Sequence, residues 1–167
     1  AEEKIRDLLA GAQVLNVDET GMRVNGIREW LHVASTGILT AYGHHRKRGS
    51  QAMDDLQILP RFRGTMVHDF WAPYFRYPGR HALCNTHLLR ELKGITENYH
   101  QKWSEQMHDL ILEIKGTVDE IREHSWSLDP RQVSDFEKRY RQIIESGMQE
   151  NHVLKVSGTV QKRGRKK

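Results

Sequence analysis

The dipeptide Asn25-Gly26 falls between two runs of strand-forming residues and constrains the fold more than any other feature of the chain. Both residues tolerate positive φ, so together they favour the tight turn that joins antiparallel strands. The run before it, "AQVLNVDE", carries Val14, Leu15 and Val17, and the run after it is "REWLHVAS". Thr36-Gly37 makes a second tight turn into "ILTAYGHH", so residues 14–45 read as an antiparallel three-strand meander. A short helical segment, Glu2 to Leu9, leads into it.

The next segments decide how the meander is extended. From Ser50 to Leu59, Ala52, Met53, Leu56 and Leu59 recur at helical spacing, with Ser50 as N-cap and Pro60 closing the segment. "GTMVHD" follows as a short strand, and a strand reached through a helical crossover is normally parallel to an earlier one. After the turn "WAPY", "RHALC" is a fifth strand, and Asn85 or Thr86 caps a helix running to about Tyr99. The expected fold class is therefore α/β with a mixed sheet, in the order βββαβαβα. Beyond His100, Trp103, Met107, Leu110, Ile114, Val118 and Ile121 form one apolar stripe on a long helix. Asp129-Pro130 caps and starts another, along which Val133, Phe136, Tyr140 and Ile143 keep the period, so the two helices should pack as a hairpin.

Composition narrows the setting. A chain of 167 residues suits one ordinary domain with an appendage and needs no disulfide support. The single cysteine, Cys84, has no internal partner, and no apolar run approaches twenty residues, which points to a reducing, cytoplasmic location away from the membrane. The net charge of +4 misleads, because the last seven residues, "QKRGRKK", hold five of the 26 basic residues. The 21 left face 22 acidic ones, a net of −1, so overall charge argues only weakly for nucleic acid. That tail reads as solvated and disordered. The chain begins at Ala1 and stops inside a polar run, as a piece of a longer protein would.

Two acids carry the chemistry. Asp18 sits within the first strand, where a buried carboxylate costs several kcal/mol unless it is paired, hydrogen-bonded or metal-bound. Neighbouring strand positions face opposite ways, so Asp18 and Glu19 cannot line one site, and the site is assigned to Asp18. Asp69 ends the fourth strand, 51 positions later. If the fourth strand lies beside the first, the two carboxylates are neighbours and repel unless a hard divalent cation such as Mg²⁺ or Mn²⁺ lies between them. From spacing alone, Asp18 as a turn residue and Asp69 as a cap read equally well. The element order tips the balance toward metal.

"VLNVDETG" with "VNGIREWLHVAST", then "MVHDFWAPY" and "HALCNTHLLREL", resemble the catalytic core of DDE-type transposases of the insertion sequence 66 family, over about residues 12–95. The resemblance implies a ribonuclease H-like fold in which three acids hold two metal ions for DNA cleavage and strand transfer. Asp18 matches the first acid and Asp69 the second. It further implies DNA partners, the transposon ends and the target, and a homo-oligomer of the full-length protein in a bacterial cytoplasm. The asparagine-rich segment with Glu-Arg that marks the third acid is not found. Glu137, Glu145 and Glu150 read as the polar face of helices, so the chain is expected to end before that acid and to cleave DNA weakly or not at all alone. The expected division is a catalytic core over 1–99, a helical hairpin insertion over 100–149 and the basic tail over 150–167.

Other features weigh less. Cys84 and His87, in "CNTH", have half the spacing of a zinc site, but a structural zinc needs four ligands; a buried cysteine and a helix-start histidine are the simpler reading. His44, His45, Arg46, Lys47 and Arg48 form a basic loop that suits DNA phosphates, with Arg61 and Arg63 nearby, and equally suits a charged, protected edge. Arg90 could contact a phosphate or pair on its own helix. His68 and His81 could flank the site or simply pack, as could Trp71 and Tyr74. Two rivals remain: another nuclease or resolvase of the same fold, told apart by strand transfer, and a non-catalytic interaction module whose acids are structural.

Overall fold

A computed structural model of the chain describes residues 2–125 and 127–151. The basic tail expected over 150–167 therefore lies almost wholly outside the described residues. The elements run α1 (Glu2–Ala10), β1 (Val14–Val24), β2 (Ile27–Ser35), β3 (Thr40–His45), α2 (Ser50–Asp55), β4 (Thr65–His68), β5 (Arg80–Leu83), α3 (Asn85–Tyr99), α4 (Lys102–Arg122) and α5 (Pro130–Glu150). Contacts divide the chain into two compact units, up to Leu88 and from Leu89, so the boundary falls within α3.

The first unit is built on a five-stranded mixed sheet in the order β3-β2-β1-β4-β5. Asn25 and Gly26 take φ of 50° and 80°, and the hairpin they close pairs Val24 with Ile27 and Asn16 with Ser35. β3 continues the meander, pairing Trp30 with His45 and Ser35 with Thr40. β4 then lies parallel to β1, with Val14 opposite Thr65 and Asn16 opposite Val67, and β5 lies parallel to β4. The crossover helix is shorter than its apolar spacing suggested. α2 stops at Asp55, Gln57 turns left-handed at φ 57°, and a 3-10 turn, Leu59–Arg61, buries Leu59 in place of further helix. Gly49 rather than Ser50 occupies the cap position.

Leu15 and Val17 of β1 point to one face and pack with Ala34, Met53, Ile58, Phe62, Met66, Tyr74 and Tyr77. The approach of β4 to the end of α1 is tight. A Cβ on Gly64 would stand 2.5 Å from the carbonyl oxygen of Gln13 and 2.6 Å from that of Ala12, so only glycine fits.

In the second unit α4 and α5 pair as the expected hairpin. Asp129 caps α5, accepting the N–H of Arg131 at 2.7 Å while its own N–H donates to Gln132, and Pro130 occupies the first helical position. Arg139 on α5 bridges to Glu113 on α4 at 2.7 Å, and Gly147 lets α5 approach Trp103, which a Cβ would meet at 2.9 Å. No helix among the described residues is long and apolar enough to cross a membrane.

Candidate functional site

The β1–β4 register places the two acids. Each paired position on β4 is 51 residues beyond its partner on β1, the same offset that separates Asp69 from Asp18. Continued two positions past Asn16 and Val67, that register would bring Asp69 across from Asp18. The backbone ladder itself stops at Asn16 and Val67, and Asp69 follows the last residue of β4.

Asp18 lies on the exposed side of β1 with Val14, Asn16 and Thr20. The costly buried carboxylate is Glu19, which alternation turns toward the core, so the desolvation argument applied to Asp18 belongs to its neighbour. Asp18 shares a shallow cleft with Asn16, Ser35, Val67, Cys84 and His87. Its Oδ1 accepts the N–H of Glu19 at 2.8 Å, and Oδ1 of Asp69 accepts the N–H of Trp71 at 3.0 Å. Each carboxylate thus has one oxygen fixed by backbone. Among the described residues neither forms an ion pair, and their second oxygens have no hydrogen-bond donor. Two carboxylates without a basic partner, Asp18 of them opening onto a cleft, offer the hard oxygen donors that suit a divalent cation. No three His, Cys, Asp or Glu side chains among the described residues converge to complete a metal site.

Cys84 and His87 join this face. Cys84 precedes α3, and its carbonyl accepts the N–H groups of His87 at 3.1 Å and Leu88 at 3.2 Å, so it holds the cap position expected of Asn85 or Thr86. Burial pushes the thiol up, but the backbone N–H and ring of His87 and the backbone of Thr86 outweigh it and leave its pKa lowered. The imidazole is raised in turn, first by the Cys84 sulfur and then by the charges of Asp18 and Asp69. His87 thus feels the charge of both acids.

Behind the sheet, Glu19 is held by two side chains, Arg48 and Tyr74. Oε1 accepts from Arg48 Nε at 2.8 Å and lies 2.7 Å from Arg48 Nη2, while Oε2 accepts from the Tyr74 hydroxyl. Burial raises the Glu19 pKa despite Tyr74 and Arg48, which both pull it down. The Arg48 guanidinium stacks on Trp71 at 4.1 Å and Trp30 at 5.0 Å. Arg48 is therefore engaged by Glu19 and the two tryptophans, although its side chain stays 40% exposed.

The other basic residues, of which His44 and His45 end β3 rather than follow it, have polar partners at the surface. His44 binds Glu29, Nε2 of His45 lies 3.2 Å from Asp55, and Lys47 donates to Gln51 at 2.6 Å. Arg46, 3.8 Å from Glu29, keeps a side chain 88% exposed and is the member of the loop most open to a phosphate. Arg61 pairs with Asp7, and Arg63 donates to the carbonyls of Pro60 and Phe62. Arg90 is exposed on α3 without an ion pair among the described residues. His68 is buried and hydrogen-bonds His81 at 2.8 Å, and burial lowers its pKa. Trp71 and Tyr74 stand edge to face, 5.9 Å apart.

Comparison with known proteins bears on the whole of this arrangement. None of the curated proteins matches the chain. Among solved structures, a chain of the cryoEM structure of simian T-cell lymphotropic virus intasome in complex with PP2A regulatory subunit B56 gamma is similar at 15% identity and a TM-score of 0.35. That likeness covers 54% of this chain and 43% of the other, so the present chain spans less than half of it, and it is too slight to fix a fold. The model of one family, described as the Transposase IS66 family, matches residues 1–165. With essentially the whole sequence covered, the chain belongs to the Transposase IS66 family.

Proposed function

We propose that this chain carries the ribonuclease H-like catalytic core of a DDE-type transposase, which cleaves DNA phosphodiesters and transfers strands, with Asp18 and Asp69 as two of its acids. One observation carries the reading: the 51-residue separation of the acids equals the register offset of the parallel β1–β4 pair, in a member of a transposase family. The strand order β3-β2-β1-β4-β5, with the fourth strand beside the first, supports it.

Asp18 and Asp69 would hold Mg²⁺ or Mn²⁺ through their free oxygens, since hard oxygen ligands suit these ions. When bound, a pair of such ions supplies an activated water or DNA 3′-hydroxyl and stabilises the leaving oxygen of an in-line displacement. The chain's own part is to hold and orient. The N–H groups of Glu19 and Trp71 fix one oxygen of each acid. The cleft of Asn16, Ser35, Cys84 and His87 sets polar groups beside Asp18 where a DNA strand would lie. Arg46, 88% exposed, and Arg90, also exposed, are basic groups that would each meet phosphates. The third acid is assigned to a segment other than those described. Glu137 pairs with Arg141 at 3.0 Å on its own exposed helix face, which supports that assignment.

The test is strand transfer by the full-length protein with Mn²⁺ and transposon-end DNA. Asp18→Asn and Asp69→Asn should each abolish both nicking and joining. Nicking without any joined product would favour a nuclease or resolvase, and unchanged activity in both variants would overturn the assignment. In the chain as it stands, robust cleavage lost on Glu137→Gln or Glu145→Gln would put the third acid in the helical hairpin.

A further inference from the structure

Past Asn16 and Val67 no backbone ladder joins β1 to β4, yet the two candidate acids lie two positions beyond that point. The β1–β4 ladder therefore does not by itself set their separation. Side chains of the buried Glu19 cluster, on the opposite face of the sheet, connect the two segments.

We infer that Glu19, Arg48 and Tyr74 form a positioning clamp that fixes Asp69 against Asp18 and thereby sets the geometry of the acid pair. The inference rests on the proposed metal-holding role of those acids. Two routes run between them. Glu19 is the residue after Asp18, and its N–H holds Asp18 Oδ1. Its carboxylate takes the Tyr74 hydroxyl, Tyr74 N–H donates to the carbonyl of Trp71 at 3.2 Å, and Trp71 N–H donates to Asp69 Oδ1 at 3.0 Å. The second route passes from Glu19 to Arg48, whose guanidinium lies 4.1 Å from the ring centroid of that same Trp71. Both routes start at the peptide after one acid and end on the residue whose N–H orients the other.

Rigidity is what makes the clamp effective. Tyr74 is 1% exposed and packed against His68 at 4.9 Å and Trp71, so its hydroxyl cannot swing away. The Glu19 side chain is fully buried, and a buried carboxylate holds strongly to its donors because no water can replace them. Groups that orient metal ligands from behind typically change metal affinity 10- to 100-fold when removed.

Tyr74→Phe tests this with no change of charge and the ring left in place. Tyr77→Phe is the control: Tyr77 is equally a core tyrosine, its hydroxyl donating to Asp54 at 2.8 Å and to the Ser50 carbonyl at 3.1 Å, but it lies on neither route. Mn²⁺ affinity is measured by calorimetry on the chain, with Asp18→Asn and Asp69→Asn alongside, and a crystal structure of Tyr74→Phe gives the separation of the two acids. The expected result is affinity about tenfold weaker in Tyr74→Phe, unchanged in Tyr77→Phe, and a displaced Asp69. Equal weakening in both tyrosine variants would mean a general loss of stability and would overturn the clamp. So would unchanged affinity in Tyr74→Phe while the Asn variants lose binding. If the Asn variants bind Mn²⁺ as well as the parent, the metal reading itself fails; an unmoved Asp69 in the Tyr74→Phe crystal would sink the clamp independently of metal.

Discussion

Replacing Arg48 by methionine should expose how much of the fold depends on one buried carboxylate. Methionine keeps the length and much of the contact with Trp30 and Trp71, because a thioether packs well on aromatic rings, so the loss is mainly electrostatic. Removing one partner of a buried ion pair costs about 3–5 kcal/mol, since the other charge stays desolvated. Arg48 is 40% exposed, so water can enter beside the shortened contact, and Tyr74 still donates to Glu19. Both features put the expected loss at the lower end, about 3 kcal/mol.

Urea unfolding of the variant near neutral pH measures it, and adding Glu19→Gln provides the decisive comparison. With the charge removed as well, the loss should shrink to about 1 kcal/mol, the size of a net hydrogen bond. The pH dependence follows from the raised Glu19 pKa, which rises further without Arg48. A carboxyl held above its unfolded value binds a proton more readily in the folded chain. Its penalty is absent below the unfolded pKa, grows as pH rises toward the folded one, and is complete above that. The Arg48→Met deficit should therefore diminish at mildly acidic pH. A loss under about 1 kcal/mol at neutral pH, or a double variant as unstable as the sum of the single ones, would refute the reasoning.

Three further outcomes are expected. Gly64→Ala should destabilise the first unit by about 1–3 kcal/mol in urea unfolding, because its Cβ meets two backbone carbonyls that cannot move aside as a side chain can. His87→Ala should raise the Cys84 pKa, so that alkylation by iodoacetamide near neutral pH slows and its pH profile shifts upward. Asp129→Ala should cost about 1 kcal/mol and fray the start of α5, seen as faster amide exchange of Arg131 and Val133.

What could be read before the structure was mostly local. Asn25-Gly26 specifies its turn through its own backbone freedom, and Asp129-Pro130 its cap, so both are visible in a few residues. The parallel pairing of β4 with β1 was legible because a helical crossover normally returns a strand parallel to an earlier one, which turns the 51-position separation of Asp18 and Asp69 into a register. The length of α2 was not, since apolar residues at helical spacing through Leu59 serve a 3-10 turn equally well once Gln57 breaks the helix. The Glu19 cluster was missed for a different reason: its partners lie 29 and 55 residues away, and pairing at that range leaves no local pattern. One signal was available. In adjacent strand positions Asp18 and Glu19, one carboxylate must face the core and needs a buried donor, which makes a nearby arginine a structural candidate before it is a DNA contact.

The most direct test of the proposed function is anomalous diffraction from crystals soaked in Mn²⁺. The expected result is an anomalous peak bonded to both Asp18 and Asp69. A peak at another group of ligands, or two carboxylates too far apart to share an ion, would contradict the assignment of these acids and the transposase chemistry proposed for them.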